Sequence, residues 1–313
     1  MLTIELARYR FFVDVTKPIE LLDYAGSALR GAFGHALLRV CGLSTDDRDY
    51  QTPIFLQSPY VTVFAPQQPE SGVSLNNLAT PPAPYVIEAP FAKKQCWQVG
   101  EQFSFDMVVG GEALRHIEVI ILAWRRAFLH GIGSTDGTGE LTNVAFLPAD
   151  SKLQVIYDTA RKRVIRHPTA LHSPEFSAPM DVHLRLQTPL RIQQKGKIAG
   201  TGELTASLFL RSLIRRVTTQ QQMQQINVWP LERIRELNHI ADKVADERRL
   251  AWQDWGRYSS RQKQVMKLGG VTGHWLFRQV PVELLPFLFL GQWLHVGKET
   301  VFGLGKYEWL TSS

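Results

Sequence analysis

The sequence predicts an α+β chain of two tandem domains, each running strand–helix–strand–strand–helix–strand. Three observations predict it. Two apolar runs, EALRHIEVIILAWRRAFL (112–129) and VELLPFLFLGQWL (282–294), each lead into a glycine-bearing turn and then into strand-like residues. The glycines of the two turns repeat, because Gly131, Gly137 and Gly139 have the mutual spacing of Gly297, Gly303 and Gly305. One supersecondary unit met in each half argues for two copies of one domain type. The third observation is size: 313 residues, 44% of them hydrophobic, suffice for two ordinary cores.

In order, residues 2–15 alternate as a strand. Pro18 then opens a helix expected over 19–40, closed by Gly42. Residues 43–58 read as loop. YVTVFAP (60–66) and PYVIEAP (84–90) read as short strands around a Pro-, Gln-, Ser- and Asn-rich loop. QFSFDMVV (102–109) is a strand, 112–129 the second helix and ELTNVAFL the closing strand. This order is the ferredoxin-like, or RRM-like, βαββαβ arrangement. It places an N-terminal domain at 1–149, followed by a linker or added hairpin at 150–180 and a C-terminal domain at 181–313.

The second round opens with a strand at 181–193 and a basic turn, QKGKIAG. A helix is expected over 201–217, and the polar tract TTQQQMQQ (218–225) is expected to be exposed. Residues 230–249 read as a charged helix, followed by strands near 250–258 and 273–280. The apolar helix, the C-terminal glycine-rich loop HVGKETVFGLGK and a final strand complete the domain.

Formal net charge is +6, and sequence pI is about 9.3, which hints at an anionic partner. The charge concentrates in 151–220, where 12 Lys or Arg face 4 Asp or Glu. The two cysteines, Cys41 and Cys96, form no C-x-x-C pair, which argues against a local zinc cluster or a disulfide scaffold and fits a reducing cytoplasm. The N-terminus alternates and carries charge, as a strand does and a signal peptide does not. The longest apolar run is too short for a bilayer and carries Glu283 and Pro286, so no membrane association is expected.

The sequence holds no H-E-x-x-H, no Walker A motif, no G-x-S-x-G and no carboxylate cluster. Metal-dependent nucleases normally gather Asp and Glu around divalent ions. No metal site and no cofactor is therefore expected. If the chain cuts nucleic acid without metal, RNA is the feasible substrate, because its 2′-hydroxyl is a built-in nucleophile and an imidazole can move the proton. Of nine histidines, His35 stands out. Ala25, Leu29, Phe33, Ala36 and Val40 form one apolar stripe, and His35 lies roughly 120° from its centre at 100° per residue. Tyr24, Ala28 and Gly31 share that outer face. Gly31 and Gly34 read as off-core glycines, each costing about 0.8–1 kcal/mol relative to Ala, so close approach of another backbone is one gain they could bring. The bland alternative is a helix packed on its sister domain, with His35 at the rim.

A second constellation, WQDWGRYSSRQKQVMKLGGVTG (252–273), interleaves Trp252, Trp255 and Tyr258 with Arg257, Arg261, Lys263 and Lys267. Aromatics stack bases and cations bind phosphates, as single-stranded RNA recognition requires. An amphipathic strand with a solvated charged face would look the same. Gly297, Lys298, Gly303 and Gly305 combine backbone N–H groups with positive charge, a pattern that suits phosphate oxygens and is also that of ordinary caps and turns.

Four segments together resemble a known family: GSALRGAFGHAL (26–37), PPAPYVIEAP through WQVGEQFSF (81–105), RYSSRQKQVMKLGGVTG (257–273) and LGQWLHVGKETVFGLGKYEW (290–309). The chain resembles the CRISPR-associated endoribonucleases that process precursor repeat RNA, the sixth Cas protein of the RAMP superfamily. The resemblance implies two ferredoxin-like domains and metal-independent cleavage of repeat RNA, leaving a 5′-hydroxyl and a 2′,3′-cyclic phosphate. It implies a catalytic histidine on or just after the first helix, which is His35, with Tyr24 and Lys298 carrying over weakly. It matches the family's glycine-rich loop to Gly297, Lys298, Gly303 and Gly305, which contacts RNA or supports the fold. One departure stands out: relatives often carry several cysteines after the first helix, where only Cys41 remains here.

The expected partner is precursor crRNA, and a CRISPR effector complex or a homodimer stays open. Two other classes compete with the nuclease. One is a subunit that binds repeat RNA without cutting it. The other is a protein–protein scaffold, against which the mixture of aromatics and cations in 252–267 argues.

Overall fold

Alternation along the first strand orders the first sheet. The computed structural model describes residues 1–21, 25–67, 81–90, 96–133, 135–149, 152–227, 229–254, 256–259, 264–267 and 269–310, the two short spans 256–259 and 264–267 by backbone alone. The chain forms two compact units, Glu5–Thr169 and Met1–Ile4 with Ala170–Ser313.

In the first unit, β1 (Thr3–Val15) buries Tyr9, Phe11 and Val13, alternate residues on one face. The sheet order is β3 (Tyr85–Glu88), β5 (Gln102–Gly110), β1, β6 (Gly139–Leu147), β7 (Gln154–Asp158), all antiparallel. Helices α1 (Ala25–Val40) and α5 (Ile117–His130) bring Phe33 and Trp124 into a stack with centroids 4.9 Å apart. Trp124 lies 4.5 Å from Phe105 and 6.0 Å from Phe11, so helix and sheet aromatics share one core. A short 3₁₀ turn, Gly111–His116, precedes α5.

Several elements differ from the sequence expectation. The helix expected from residue 19 begins at Ala25, because β2 (Ile19–Glu20) pairs with β4 (Cys96–Trp97). The segment expected as loop after Gly42 holds α2 (Thr45–Asp49), opened by a capping box between Ser44 and Asp47, and α3 (Pro53–Leu56). The strand expected at 60–66 is a helix, α4 (Pro59–Phe64). Pro59 pre-sets its first turn. Tyr60 and Phe64, four residues apart, fall on one side, and Phe64 stacks on Tyr85 at 6.0 Å. Aromatic packing outweighs the β-branched residues between them.

In the second unit the order is β12 (Ala245–Gln253), β15 (Gly270–Val280), β9 (Met180–Leu190), β16 (Tyr307–Leu310), again antiparallel. Strand β8 (Ala170–His172) pairs with β1 off the main path of the first sheet, and the hairpin of β10 (Gln193–Gln194) with β11 (Lys197–Ile198) is accessory. Helices α6 (Ala206–Met223) and α8 (Leu285–Leu294) pack Phe209 against Trp275, Phe277 and Tyr307. The buried Tyr307 hydroxyl donates to Leu288 O at 2.7 Å.

The polar tract expected to be exposed instead continues α6, with Thr218, Thr219, Gln220 and Gln221 buried. Specific bonds make part of this tolerable. Thr218 Oγ1 donates to Ile214 O, and Gln221 donates to Thr3 O at 2.7 Å and accepts from the Trp229 indole at 2.8 Å. The charged helix α7 (Leu231–Ala241) ends early, and its expected last residues begin β12. β12 is the sheet's edge, where charged side chains are at home, and Glu247 pairs with Arg278 of β15. The same register then runs on into a hairpin arm of β13 (Gly256–Ser259) and β14 (Gln264–Lys267), with Gln253 opposite Gly270 and Gly256 opposite Lys267. In both units the elements follow the βαββαβ order, and the second strand of that order lies at one edge of the sheet and the fourth beside the first.

Candidate active site

Helix α1 packs through Leu29, Phe33 and Leu37, which are fully buried, and this leaves His35 exposed on the other side. His35 lines a cleft of about 320 Å³ with Ala32, Ala36 and Arg39 of α1 and Arg126, Ala127, His130 and Gly131 at the end of α5. Arg39 follows His35 by four residues and His130 follows Arg126 by four, so each helix presents one imidazole and one guanidinium on a single face. The other lining residues are Ala or Gly, which keeps the floor shallow. Among the described residues, no carboxylate ion-pairs with Arg39 or Arg126. Their charge is available to an anion, and guanidinium suits the two oxygens of a phosphodiester.

His130 is set by its own helix. Its Nδ1–H donates to the Arg126 carbonyl at 2.8 Å. A carbonyl only accepts, so Nδ1 carries a hydrogen and the neutral ring keeps its lone pair on Nε2. Gly131, at φ +110°, caps the helix and turns the chain away. Sequence reasoning did not single out His130, Arg126 or Arg39. The available signal was the repeated four-residue spacing of His and Arg.

Gly31 is exposed with nothing within 4 Å of a Cβ added there, so the surface beside His35 is open. Gly34 corrects the off-core expectation. It is buried, and an added Cβ would overlap the ring of Phe64, so its gain is contact with an aromatic of its own domain. Tyr24 lies outside the described residues.

The second unit carries the remaining candidates. The backbone of the β13–β14 arm bears Arg257, Tyr258 and Lys267, while Trp255, Arg261 and Lys263 lie outside the described residues. Trp252 on β12 is 44% exposed, and its indole donates to Asp254 at 2.9 Å. Part of the basic charge after residue 150 is neutralised locally by Arg161–Asp158, Arg185–Glu308 and Arg211–Asp242 pairs.

The turn after α8 is built on its glycines. Gly297, Gly303 and Gly305 have φ of +96°, +92° and +71°. An added Cβ at Gly305 would overlap Val296 O, and one at Gly297 would press on Arg191 O. The N–H groups of Lys298, Gly303 and Gly305 donate to Arg191 O, Thr300 O and Pro189 O. Thr188 Oγ1 donates to Gly303 O and accepts from Lys306 N, and Arg216 of α6 reaches Leu294 O and Thr300 Oγ1. Burial pulls the Arg216 guanidinium down to about 10, which leaves it charged at neutrality. These donors hold the turn against the end of β9, while Gly297 and Lys298 are exposed at its tip. The turn after α5 is wedged similarly, since an added Cβ at Gly133 or Gly137 would overlap Glu20 O or Pro18 O.

Fold and cleft together define an α+β protein with two antiparallel sheets and a cationic, histidine-bearing groove. Residues 184–307 match the family described as CRISPR-associated endoribonuclease Cas6, and residues 3–169 match a family described as an N-terminal domain. The chain carries a Cas6 endoribonuclease domain over residues 184–307. A Cas6 product complex aligns over 98% of this chain and 99% of its own at TM-score 0.57 and 15% identity. A second Cas6 product complex aligns over 99% of this chain and all of its own at TM-score 0.52 and 15% identity. A partial Cas6-RT-Cas1–Cas2 complex aligns over 99% of this chain at TM-score 0.55 and 15% identity, and the match covers 46% of that longer chain. These likenesses are of fold. No curated protein matches the chain. Among the described residues no helix is long and apolar enough to cross a membrane.

Proposed function

We propose that the chain binds CRISPR repeat RNA and cleaves precursor crRNA without a metal ion, by attack of the 2′-hydroxyl, leaving a 5′-hydroxyl and a 2′,3′-cyclic phosphate. The observation that carries this is His35, exposed in a cleft with two arginines free of carboxylate partners among the described residues. An imidazole moves the proton and guanidinium charge stabilises the phosphorane, so the chemistry needs no cofactor. The strand order supports reading each half as ferredoxin-like, with the N-terminal domain at 1–149, a linker or added hairpin at 150–180, whose β7 extends the first sheet, and the C-terminal domain at 181–313.

RNA affinity is assigned to the 252–267 arm, through Arg257, Tyr258, Arg261, Lys263 and Lys267, and to Lys298. Gly297, Gly303 and Gly305 serve chiefly by shaping the turn that presents Lys298, because the N–H groups of Gly303 and Gly305 are already donated. Tyr24 is the reserve catalytic group. Solved neighbours are Cas6 product complexes and a Cas6-RT-Cas1–Cas2 assembly. By analogy, the partners of this chain are repeat RNA and a larger CRISPR assembly.

The test is incubation with cognate repeat RNA in EDTA, alongside the same RNA carrying 2′-hydrogen at the scissile nucleotide. The ordinary RNA should be cut with metal chelated. The deoxy RNA should bind and stay intact. Cutting of the deoxy RNA at the normal rate would remove the proposed mechanism. Binding without any cutting would make the chain a repeat-RNA-binding subunit.

A further inference from the structure

The endoribonuclease reading gives one histidine a task that needs two proton transfers. The 2′-hydroxyl must lose a proton as O2′ bonds to phosphorus, and the departing O5′ must gain one as the P–O5′ bond breaks. With in-line attack, the two oxygens lie on opposite sides of the phosphorus. A single side chain cannot reach both at once.

The cleft supplies a second group. His130 lines it from α5, as His35 does from α1. Its Nδ1–H is committed to the Arg126 carbonyl at 2.8 Å, so the ring is oriented and Nε2 is the reactive atom. Arg39 and Arg126 lie one helical turn from their histidines, on the same faces. The floor of Ala32, Ala36, Ala127 and Gly131 lets a phosphodiester approach without meeting a large side chain.

We propose that His130 is the second proton-transfer residue of the reaction, the partner of His35, with Arg39 and Arg126 holding the scissile phosphate. This rests on the endoribonuclease reading of the same cleft. One imidazole accepts the 2′-hydroxyl proton at Nε2. O2′ bonds to phosphorus and the P–O5′ bond breaks. The other imidazolium gives its Nε2 proton to O5′. The products are the 2′,3′-cyclic phosphate and the 5′-hydroxyl, and solvent exchange returns both imidazoles to their starting states.

The test uses the full chain and cognate repeat RNA, with the scissile linkage located from wild-type products. A second RNA carries sulfur in place of O5′ at that linkage. A thiolate leaves without a proton, so loss of the general acid no longer matters, while loss of the general base still does. His130→Asn is the informative variant, because its amide N–H can keep the bond to Arg126 O while the Nε2 proton donor is gone. We expect His130→Asn and His35→Ala each to slow single-turnover cutting of ordinary RNA by about 10²-fold or more, the scale of a lost acid–base group. RNA affinity and melting temperature should change little. The sulfur RNA should restore one of the two variants to near the wild-type rate and leave the other slow. His130→Asn cutting ordinary RNA at the wild-type rate, with His35→Ala slow, would overturn the inference and leave the endoribonuclease reading standing. Rescue of both variants, or of neither, would also overturn the pairing. A wild-type chain that cuts neither RNA would sink the reading and the inference with it.

Discussion

His35→Ala separates catalysis from packing. His35 is exposed, and the helix is anchored by Leu29, Phe33 and Leu37 on its other side, all fully buried. Replacing it removes no core volume. Ala is the better helix former, by about half a kcal/mol in an exposed interior position. Stability should therefore hold or rise slightly. The rate should fall by about 10²–10⁴-fold if the imidazole transfers a proton in the transition state. At about 1.36 kcal/mol per decade, that is roughly 2.7–5.5 kcal/mol of lost transition-state stabilisation. The assay is single-turnover cleavage of radiolabelled repeat RNA with enzyme in excess, so that product release does not mask the chemical step. Binding is measured separately on the 2′-deoxy RNA, and melting is followed by circular dichroism. The expected pattern is unchanged affinity, unchanged or slightly raised melting temperature and a slow rate. A variant that is less stable and cuts normally would show that His35 is a packing residue at the rim of its helix, and Tyr24 with Lys298 would be the next pair to test.

Other outcomes follow from individual contacts. Glu88, with 3% of its side chain exposed, faces Arg8 at 3.0 Å, so Glu88→Ala removes a charge-assisted bond and should cost about 1.5–3 kcal/mol in denaturant unfolding. A loss under about 1 kcal/mol would mean that Arg8 regains water freely. Gly305→Ala should destabilise by more than the roughly 1–2 kcal/mol of a left-handed residue, because an added methyl also meets Val296 O. Gly31→Ala, with open space around it, should instead stabilise by about 0.8–1 kcal/mol, and a slower cleavage rate in that variant would place the RNA backbone over the first helix. Neutralising Lys298 should flatten the log–log salt dependence of RNA binding by about 0.7, and an unchanged slope would remove it from the phosphate contacts.

The topology was legible because its signals are local and repeated. Two apolar helices each run into glycines of equal spacing, and those glycines are required by positive φ or by neighbouring backbone. The misreadings share another cause. Residues 60–64 read as a strand from β-branched composition, yet Tyr60 and Phe64 need helical spacing to meet Tyr85. Residues 218–221 read as solvated, yet Thr3, distant in sequence, and Trp229, past the end of the helix, take up Gln221. The charged stretch 245–249 read as helix, yet Glu247 finds its counterpart across the sheet in Arg278, which also reaches Asp181. In each case a non-local partner overrode a local preference, and one sequence without an alignment does not reveal such partners.

The candidate site divides in the same way. His35 was legible because a helical wheel alone shows it off the apolar stripe. Arg126 and His130 sit in a run whose apolar period dominates, and His130 reads there as the first residue of a glycine turn. Their value emerges only when α1 and α5 are brought together, since a cleft between helices has no period of its own. What the sequence does carry is the pairing within each helix, His35 with Arg39 and Arg126 with His130, both at four residues. Arg39 and Arg126 bring two positive charges to one cleft, with no carboxylate ion-paired to either arginine among the described residues. A phosphodiester chain is a polyanion that would neutralise both, which is the electrostatic ground for proposing RNA there before any catalytic step is considered.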